Sequence, residues 1–267
     1  MTLQLLDIGE TADRLSWDAI CAEVADLSAK EPLLQGLLAS IFSRSDSLSE
    51  AMAVILANLL HAEGIDRTDL TALFAEALAE ERATAALMRD LQAVRERDPA
   101  CTTFLHALMN YKGFQALQAY RIAHWLWARE RRELASFISN RTSLMLGPDI
   151  HPAARIGTGI MLDHGSGIVI GETAVIDDDV SILQNVTLGG TGKITGDRHP
   201  KVRRGVMIGA GAKIIGNIEI GQFSKVAAGS VVLKPVPAHC TVAGIPAQIV
   251  RIHGAAEMPS VTMNQDI

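Results

Sequence analysis

Between Ile150 and Val232, aliphatic residues return every six positions. Ile150, Ile156 and Leu162 form one phased run, Ile170, Ile176, Ile182 and Leu188 a second, and Val202, Ile208, Ile214, Ile220, Val226 and Val232 a third. Four residues after most of these stands a small or β-branched residue: Ala154, Ile160, Ala174, Val180, Val186, Ala212, Ile218, Ser224 and Ser230. Glycine often follows the aliphatic position directly, as at Gly157, Gly171, Gly209 and Gly221. The period is neither the 3.6 of a helix nor the 2 of a half-buried strand. It is the hexapeptide pattern of a parallel β-helix, in which each hexapeptide makes one flat face and three faces close a coil. The aliphatic side chain points into the prism, against its equivalents in coils stacked about 4.8 Å apart. The small residue faces inward near a corner, and glycine eases the bend between faces. A generic Val/Ile/Gly-rich sheet would not hold one phase through so many repeats.

The phase breaks twice, and breaks in a solenoid are where binding and chemistry gather. The step from Leu162 to Ile170 is eight, which inserts two residues within 162–167; the step from Leu188 to Val202 is fourteen, which inserts eight within 189–201. The second segment is Gly-rich and carries Arg198 and His199, so it is expected to be a loop extruded from a coil corner.

The first half reads differently. Apolar residues fall at helical spacing, as in Ile20, Val24 and Leu27, in Met52, Ile55, Leu56 and Leu59, and in Leu70, Leu73, Phe74 and Ala77. Ser49-Glu50 and Thr68-Asp69 read as helix starts. A break is expected at Arg97-Asp98-Pro99-Ala100, because proline disfavours helix in the residue before it. From Phe114 to Phe137 the pattern predicts one long helix whose aromatic stripe (Tyr120, Trp125, Trp127) belongs to a core or a subunit contact rather than to a cofactor site. The division expected is a helical domain over 1–147, a β-helix over 148–252 with its extruded loop at 189–201, and a polar, flexible tail over 253–267.

Composition narrows the function classes. The net charge is −6, and no basic stripe is present to meet phosphates, which argues against nucleic acid as a partner. The one basic cluster (Arg198, Lys201, Arg203 and Arg204) is local and suits either a solvated loop or a clamp for a phosphorylated small molecule. Cys21, Cys101 and Cys240 are far apart and show no metal or disulfide spacing. Residues 1–10 carry no signal-peptide pattern, and the longest apolar run, 51–60, is too short for a membrane span. A cytoplasmic protein without a membrane segment is the expectation.

The order of DIHPAA, GIMLDH, VSILQNVTLGGTGK and GDRHPK, together with Arg97-Asp98-Pro99 and the run 112–121, closely resembles the bacterial serine acetyltransferase family. The resemblance implies an all-helical N-terminal domain followed by a left-handed parallel β-helix, acetyl-CoA as donor and L-serine as acceptor. It also implies L-cysteine as a feedback inhibitor, trimers that pair into hexamers through their helical ends, and no metal. Left-handedness rests on the resemblance alone, since the general rule for parallel crossovers favours the other hand.

His164, at the first break, is the candidate general base: a serine hydroxyl is a poor nucleophile until its proton is removed, and imidazole titrates near neutrality. Asp149 stands fifteen residues earlier, and a coil takes about eighteen residues, which places the two near one corner. The family gives the matching carboxylate the role of orienting the imidazole and stabilising its cation, with Asp163 the main rival here. No cysteine lies in either break and no serine sits beside a base, so direct transfer is preferred to a covalent acyl-enzyme.

Free serine needs a cation for its carboxylate and an anion for its ammonium. Arg198 suits the first, Asp98 matches the family's anion, and His199 matches a further substrate-site histidine. Gly190, Thr191, Ala210 and Lys225 match the family's coenzyme A positions, with Lys225 set to meet a phosphate. The chain ends in Ile267, and the resemblance implies that this terminus docks into O-acetylserine sulfhydrylase, a pocket taking the side chain and an anion nest the carboxylate. Rival readings are a γ-type zinc carbonic anhydrase using His151, His164 and His199, a non-enzymatic scaffold, and an acetyltransferase for homoserine, a sugar or an antibiotic.

Overall fold

A computed structural model describes residues 15–192, 195–254 and 256–266. Among the described residues eight α-helices come first: α1 (Trp17–Lys30), α2 (Gln35–Phe42), α3 (Leu48–Leu60), α4 (Arg67–Leu78), α5 (Glu81–Arg97), α6 (Phe104–Asn110), α7 (Lys112–Ala128) and α8 (Arg132–Leu146). Side-chain caps set several of their starts. Ser16 Oγ accepts from Ala19 N, Ser47 Oγ from Glu50 N, and Asp66 Oδ1 from Thr68 N and Asp69 N. The caps of α3 and α4 therefore lie two residues before the starts expected at Ser49 and Thr68. The single helix expected over 114–137 is two helices. Residues 129–131 turn the chain, with Glu130 at φ 58°, so that α8 packs back on α7. No Gly or Pro marks the turn. Packing of both helices into the same core decides it.

The chain then winds into coils. The first is β1 (Asp149–Ile150), β2 (Arg155–Ile156) and β3 (Met161–Leu162), followed by β4 (Val169–Ile170), β5 (Val175–Ile176) and β6 (Ser181–Ile182). Next come β7 (Thr187–Gly189), β8 (Lys201–Val202) and β9 (Met207–Ile208), and then β10 (Lys213–Ile215), β11 (Glu219–Ile220) and β12 (Lys225–Val226). The last coil opens with β13 (Val231–Val232), and the hairpin β14 (Cys240–Gly244) and β15 (Ala247–Ile252) ends it. Three sheets result: β1-β4-β7-β10-β13, β2-β5-β8-β11 and β3-β6-β9-β12-β14-β15.

Among the described residues every strand pairing is parallel except β14 with β15. The phased aliphatic residues stack on one another: Ile150 on Ile170, Ile170 on Leu188, and Leu188 on Ile214. The register survives both insertions, since Leu162 pairs with Ile182 and Ile176 with Val202. The extra residues are therefore confined to corners. Burying each such Ile, Leu or Val contributes about 1.5–3 kcal/mol.

The helical half is seated on the first coil by polar side chains with almost no exposure. Asp90 of α5, 0% exposed, accepts from Arg121 Nε (2.9 Å) and Nη2 (2.6 Å), Gln118 Nε2 (3.0 Å) and the backbone N–H of Ile160 (3.0 Å). Arg121 also donates to the carbonyl of Gly157 at 2.7 Å. Nearby, Arg97 donates to Gly159 O (3.0 Å) and Ser181 Oγ (3.1 Å). Apolar groups cross the same boundary. Leu117 and Tyr120 of α7 join the core of the coils, and Met161 of β3 joins the helical core. The aromatic stripe is thus core, with Tyr120 donating to Ala154 O at 2.6 Å.

The tail was expected to be flexible. In this structure residues 259–262 form a helical turn, α9 (Pro259–Thr262), against α5 and β9. Pro259 and Ser260 are buried, and Ser260 O accepts from Ser181 Oγ at 2.8 Å. Proline pre-sets the turn, and the buried hydrogen bond anchors it. Among the described residues no helix is long and apolar enough to cross a membrane.

Removing Asp90 strands a buried guanidinium. Asp90→Ala is expected to cost about 3–5 kcal/mol in urea unfolding. The exposed pair Lys30–Asp26, at 2.7 Å, supplies the contrast: Asp26→Ala should change stability by about 1 kcal/mol or less. Similar midpoints for the two variants would show that the buried pair does not hold the halves together.

Candidate active site

At the end of β3 the chain leaves the coil wall. His164, Gly165 and Gly167 all take left-handed backbone angles (φ 56°, 76° and 68°), which glycine adopts freely and histidine does not. The two inserted residues and this turn push the His164 side chain outward, 70% exposed. Its Nε2 lies 3.8 Å from Asp163 Oδ1, close enough for charge stabilisation but beyond a hydrogen bond. Burial raises the Asp163 carboxyl above the usual carboxylate range, against the pull of His164, and Asp98 adds to the rise.

The other wall comes from the helical half. Helix α5 stops at Arg97, before the proline at 99, and Asp98 caps it in an extended conformation. Asp98 Oδ1 accepts from Ala100 N at 2.8 Å, and Oδ2 accepts from the Tyr111 hydroxyl at 2.6 Å. Burial, and then the hydrogen bond to Asp98, push the Tyr111 phenol well above its ordinary value, so it stays a proton donor. Two residues on, Gly113 meets the coil: a Cβ there would stand 2.0 Å from the carbonyl oxygen of Leu162. Only glycine lets α7 start so close to β3. Lys112 beside it donates to Ser166 Oγ. Asp98, Tyr111, Lys112, Gly113, Asp163 and His164 together line a cleft of about 310 Å³.

Asp149 is placed differently from Asp163. It opens β1 beside Ile168 and lines a separate depression with Ser139, Asn140 and His151. Among the described residues, the carboxylate within 4.0 Å of the His164 ring is that of Asp163.

Arg198 and His199 occupy the corner between β7 and β8. Arg198 Nη2 meets Glu172 Oε2 at 2.7 Å, and Nη1 donates to Gly196 O at 3.1 Å. His199 is buried, and its Nδ1 accepts from Thr173 N at 3.2 Å, so a neutral ring carries its proton on Nε2. Burial pushes the His199 imidazole down, and the neighbouring guanidinium adds to this. Gly171 leaves the room for that ring, since a Cβ there would lie 2.0 Å from Nε2. Gly190 packs on both side chains, and Thr191 Cγ2 lies beside Gly216.

Ala210 stands on the same corner column as His164, further along the prism, where its carbonyl accepts from Gly229 N at 2.8 Å. Lys225 lies on the third sheet, buried, and donates to the carbonyls of Asn264 and Asp266. Burial pulls the Lys225 ammonium below its ordinary value.

Within one chain, then, the structure brings His164, Asp98 and Asp163 together. It sets Arg198, His199, Gly190 and Thr191 at another corner of the same β1-to-β13 sheet, and Ile267 lies outside the described residues. Tyr111, Lys112 and Gly113 were not singled out for chemistry from the sequence. Their one signal was a glycine in the first turn of a helix, which carries no chemistry by itself.

Coils of hexapeptides, an outward-turned histidine at a break in phase and a long loop from a coil corner define a hexapeptide-repeat transferase. Residues 199–234 match the family described as "Bacterial transferase hexapeptide (six repeats)", and residues 16–119 match "Serine acetyltransferase, N-terminal". The serine acetyltransferase of Salmonella typhimurium is 53% identical over 250 residues, 93% of this chain and 91% of that protein. A serine acetyltransferase solved in complex with cysteine superposes with a TM-score of 0.91 at 48% identity, covering 94% of this chain and 98% of its own. The Brucella abortus enzyme solved with coenzyme A gives a TM-score of 0.87 at 48% identity, over 89% and 96%. The chain belongs to the serine acetyltransferase family, and its coils form the left-handed parallel β-helix of that fold.

The contact at Gly113 can be tested against a second helical glycine. Gly113→Ala is expected to destabilise by about 1–3 kcal/mol, because the clash is with backbone. Gly36 in α2 has nothing within 4 Å of a built Cβ, so Gly36→Ala should stabilise by about 0.4–1 kcal/mol. Chemical denaturation of both variants reads the difference, and a tolerated alanine at 113 would refute the close seating of α7 on β3.

Proposed function

We propose that this chain transfers the acetyl group of acetyl-CoA to the hydroxyl of L-serine, giving O-acetyl-L-serine and CoA. The observation that carries the reading is His164, turned out of the coil wall into a cleft that also holds two carboxylates. The imidazole takes the hydroxyl proton as the serine oxygen attacks the thioester carbonyl. A tetrahedral centre forms, the C–S bond breaks, and the thiolate leaves with the proton carried by the imidazolium. A nearby carboxylate stabilises that cation. Geometry supports Asp163 for this role, and family resemblance supports Asp149.

Asp98 receives the acceptor's ammonium. Arg198 and His199 meet its carboxylate from a neighbouring copy, because one chain holds them at a corner away from its own His164. A homotrimer, or a dimer of trimers, would set one chain's loop corner against the next chain's cleft. Coenzyme A then lies along the groove between copies, near Gly190, Thr191, Ala210 and Lys225. The helical domain over 1–147 supplies the acceptor side of the site and the coils over 148–252 supply the base. The 253–267 tail offers Ile267 to O-acetylserine sulfhydrylase in the cytoplasm. L-cysteine, differing from serine by one atom, occupies the acceptor site as an inhibitor. Family membership favours this reading over a zinc carbonic anhydrase, a scaffold or another acceptor.

The test is acceptor profiling with acetyl-CoA, following thiol release for serine, homoserine, sugars and amines. Serine should be preferred, and His164→Ala should lower the rate by about 10²–10⁴ while acetyl-CoA still binds. Retention of most activity would remove His164 from the base role. Asp163→Asn and Asp149→Asn separate the two carboxylates: the geometry predicts the larger loss of kcat at Asp163. Cysteine should raise the apparent KM for serine without lowering the maximal rate, and a purely non-competitive pattern would place its site elsewhere.

A further inference from the structure

We propose that Tyr111 is a positioning residue for the acceptor. Its hydroxyl fixes the plane of the Asp98 carboxylate and its distance from the base. This rests on the serine-acetylating reading above.

A carboxylate on a short side chain turns easily about its last bond, and an ammonium is held well only when the oxygen lone pairs are aimed at it. Asp98 is held at both oxygens. One bond, Oδ1 from Ala100 N at 2.8 Å, is local to the turn that ends α5. The other, Oδ2 from the Tyr111 hydroxyl at 2.6 Å, comes from thirteen residues further along the chain.

Tyr111 is also the N-cap residue of α7, two residues before the glycine that rests on the Leu162 carbonyl. Asp163 and His164 follow Leu162 directly. The path from base to ammonium-binding group is therefore short and made of stiff parts: the end of β3, a backbone-to-backbone contact, the first turn of α7, the phenol, and Asp98. The ring is held in place in turn, edge-on to the His106 ring at 5.5 Å and 78°. The phenol lines the cleft and its hydroxyl donates to Asp98, so it acts through that carboxylate.

Tyr111→Phe keeps the ring and removes the bond. The expected result is a rise of about tenfold in KM for L-serine, a fall in kcat of less than threefold, and an unaltered KM for acetyl-CoA. The Asp98→Asn variant should make the second substitution nearly silent: the double variant should match Asp98→Asn within about twofold in kcat/KM for serine. A merely structural tyrosine would instead lower the thermal midpoint and move both KM values together. A serine KM within twofold of wild type, or effects that multiply in the double variant, would overturn the proposal while leaving serine acetylation by the wild type intact. Failure of the wild type to acetylate serine would overturn both.

Discussion

The carboxylate of Asp90 holds two differently built halves in one geometry. Taking a charge out of water costs several kcal/mol, and the cost is offset only if every lone pair finds a donor. Here Arg121, Gln118 and the amide of Ile160 supply them, from α7 and from the first coil. Directional bonds of this kind tolerate little sliding, whereas apolar contact between a helix and a sheet tolerates a good deal. The cleft straddles the same boundary, since Asp98 and Tyr111 come from the helices and Asp163 and His164 from the coils.

Within the coils a second constraint operates. The inward residues must stack coil upon coil, so an insertion is tolerated only where the chain turns a corner. Both departures from the six-residue period obey this, and pairing resumes in register after each. The corner that gains two residues presents His164, and the corner that gains the long loop presents Arg198 and His199. The packing rule that forbids irregularity on the faces concentrates polar groups at the edges.

This explains what was legible in the sequence. The faces were readable because repetition at Ile150, Ile170, Leu188 and their kin reports one environment many times over. His164 was readable because it sits where that repetition fails. Asp98 was placed by its break before proline and by resemblance. Tyr111 and Gly113 were not readable as part of the site: their partners lie across the fold, and nothing local distinguishes a tyrosine that meets a carboxylate from one that meets solvent. The turn at Glu130 was missed for a related reason, as Arg129 to Arg132 contain neither glycine nor proline, and packing of α7 on α8 overrides local preference. The seat of residues 259–262 depends on one serine hydroxyl of β6, and composition alone suggested a loose end.

The closing hairpin bears on the size of the particle. A solenoid of parallel strands presents at each end a row of unpaired donors and acceptors matched to another solenoid's end, an arrangement that grows into fibres. Here α7 and α8 pack on the first coil, and at the far end β15 runs against the direction of every strand before it. A further coil arriving in register would meet a reversed edge on that face. The direction of one strand thus helps to keep a structure built from repeats finite, because on that face the stack of parallel strands ends in one that runs the other way.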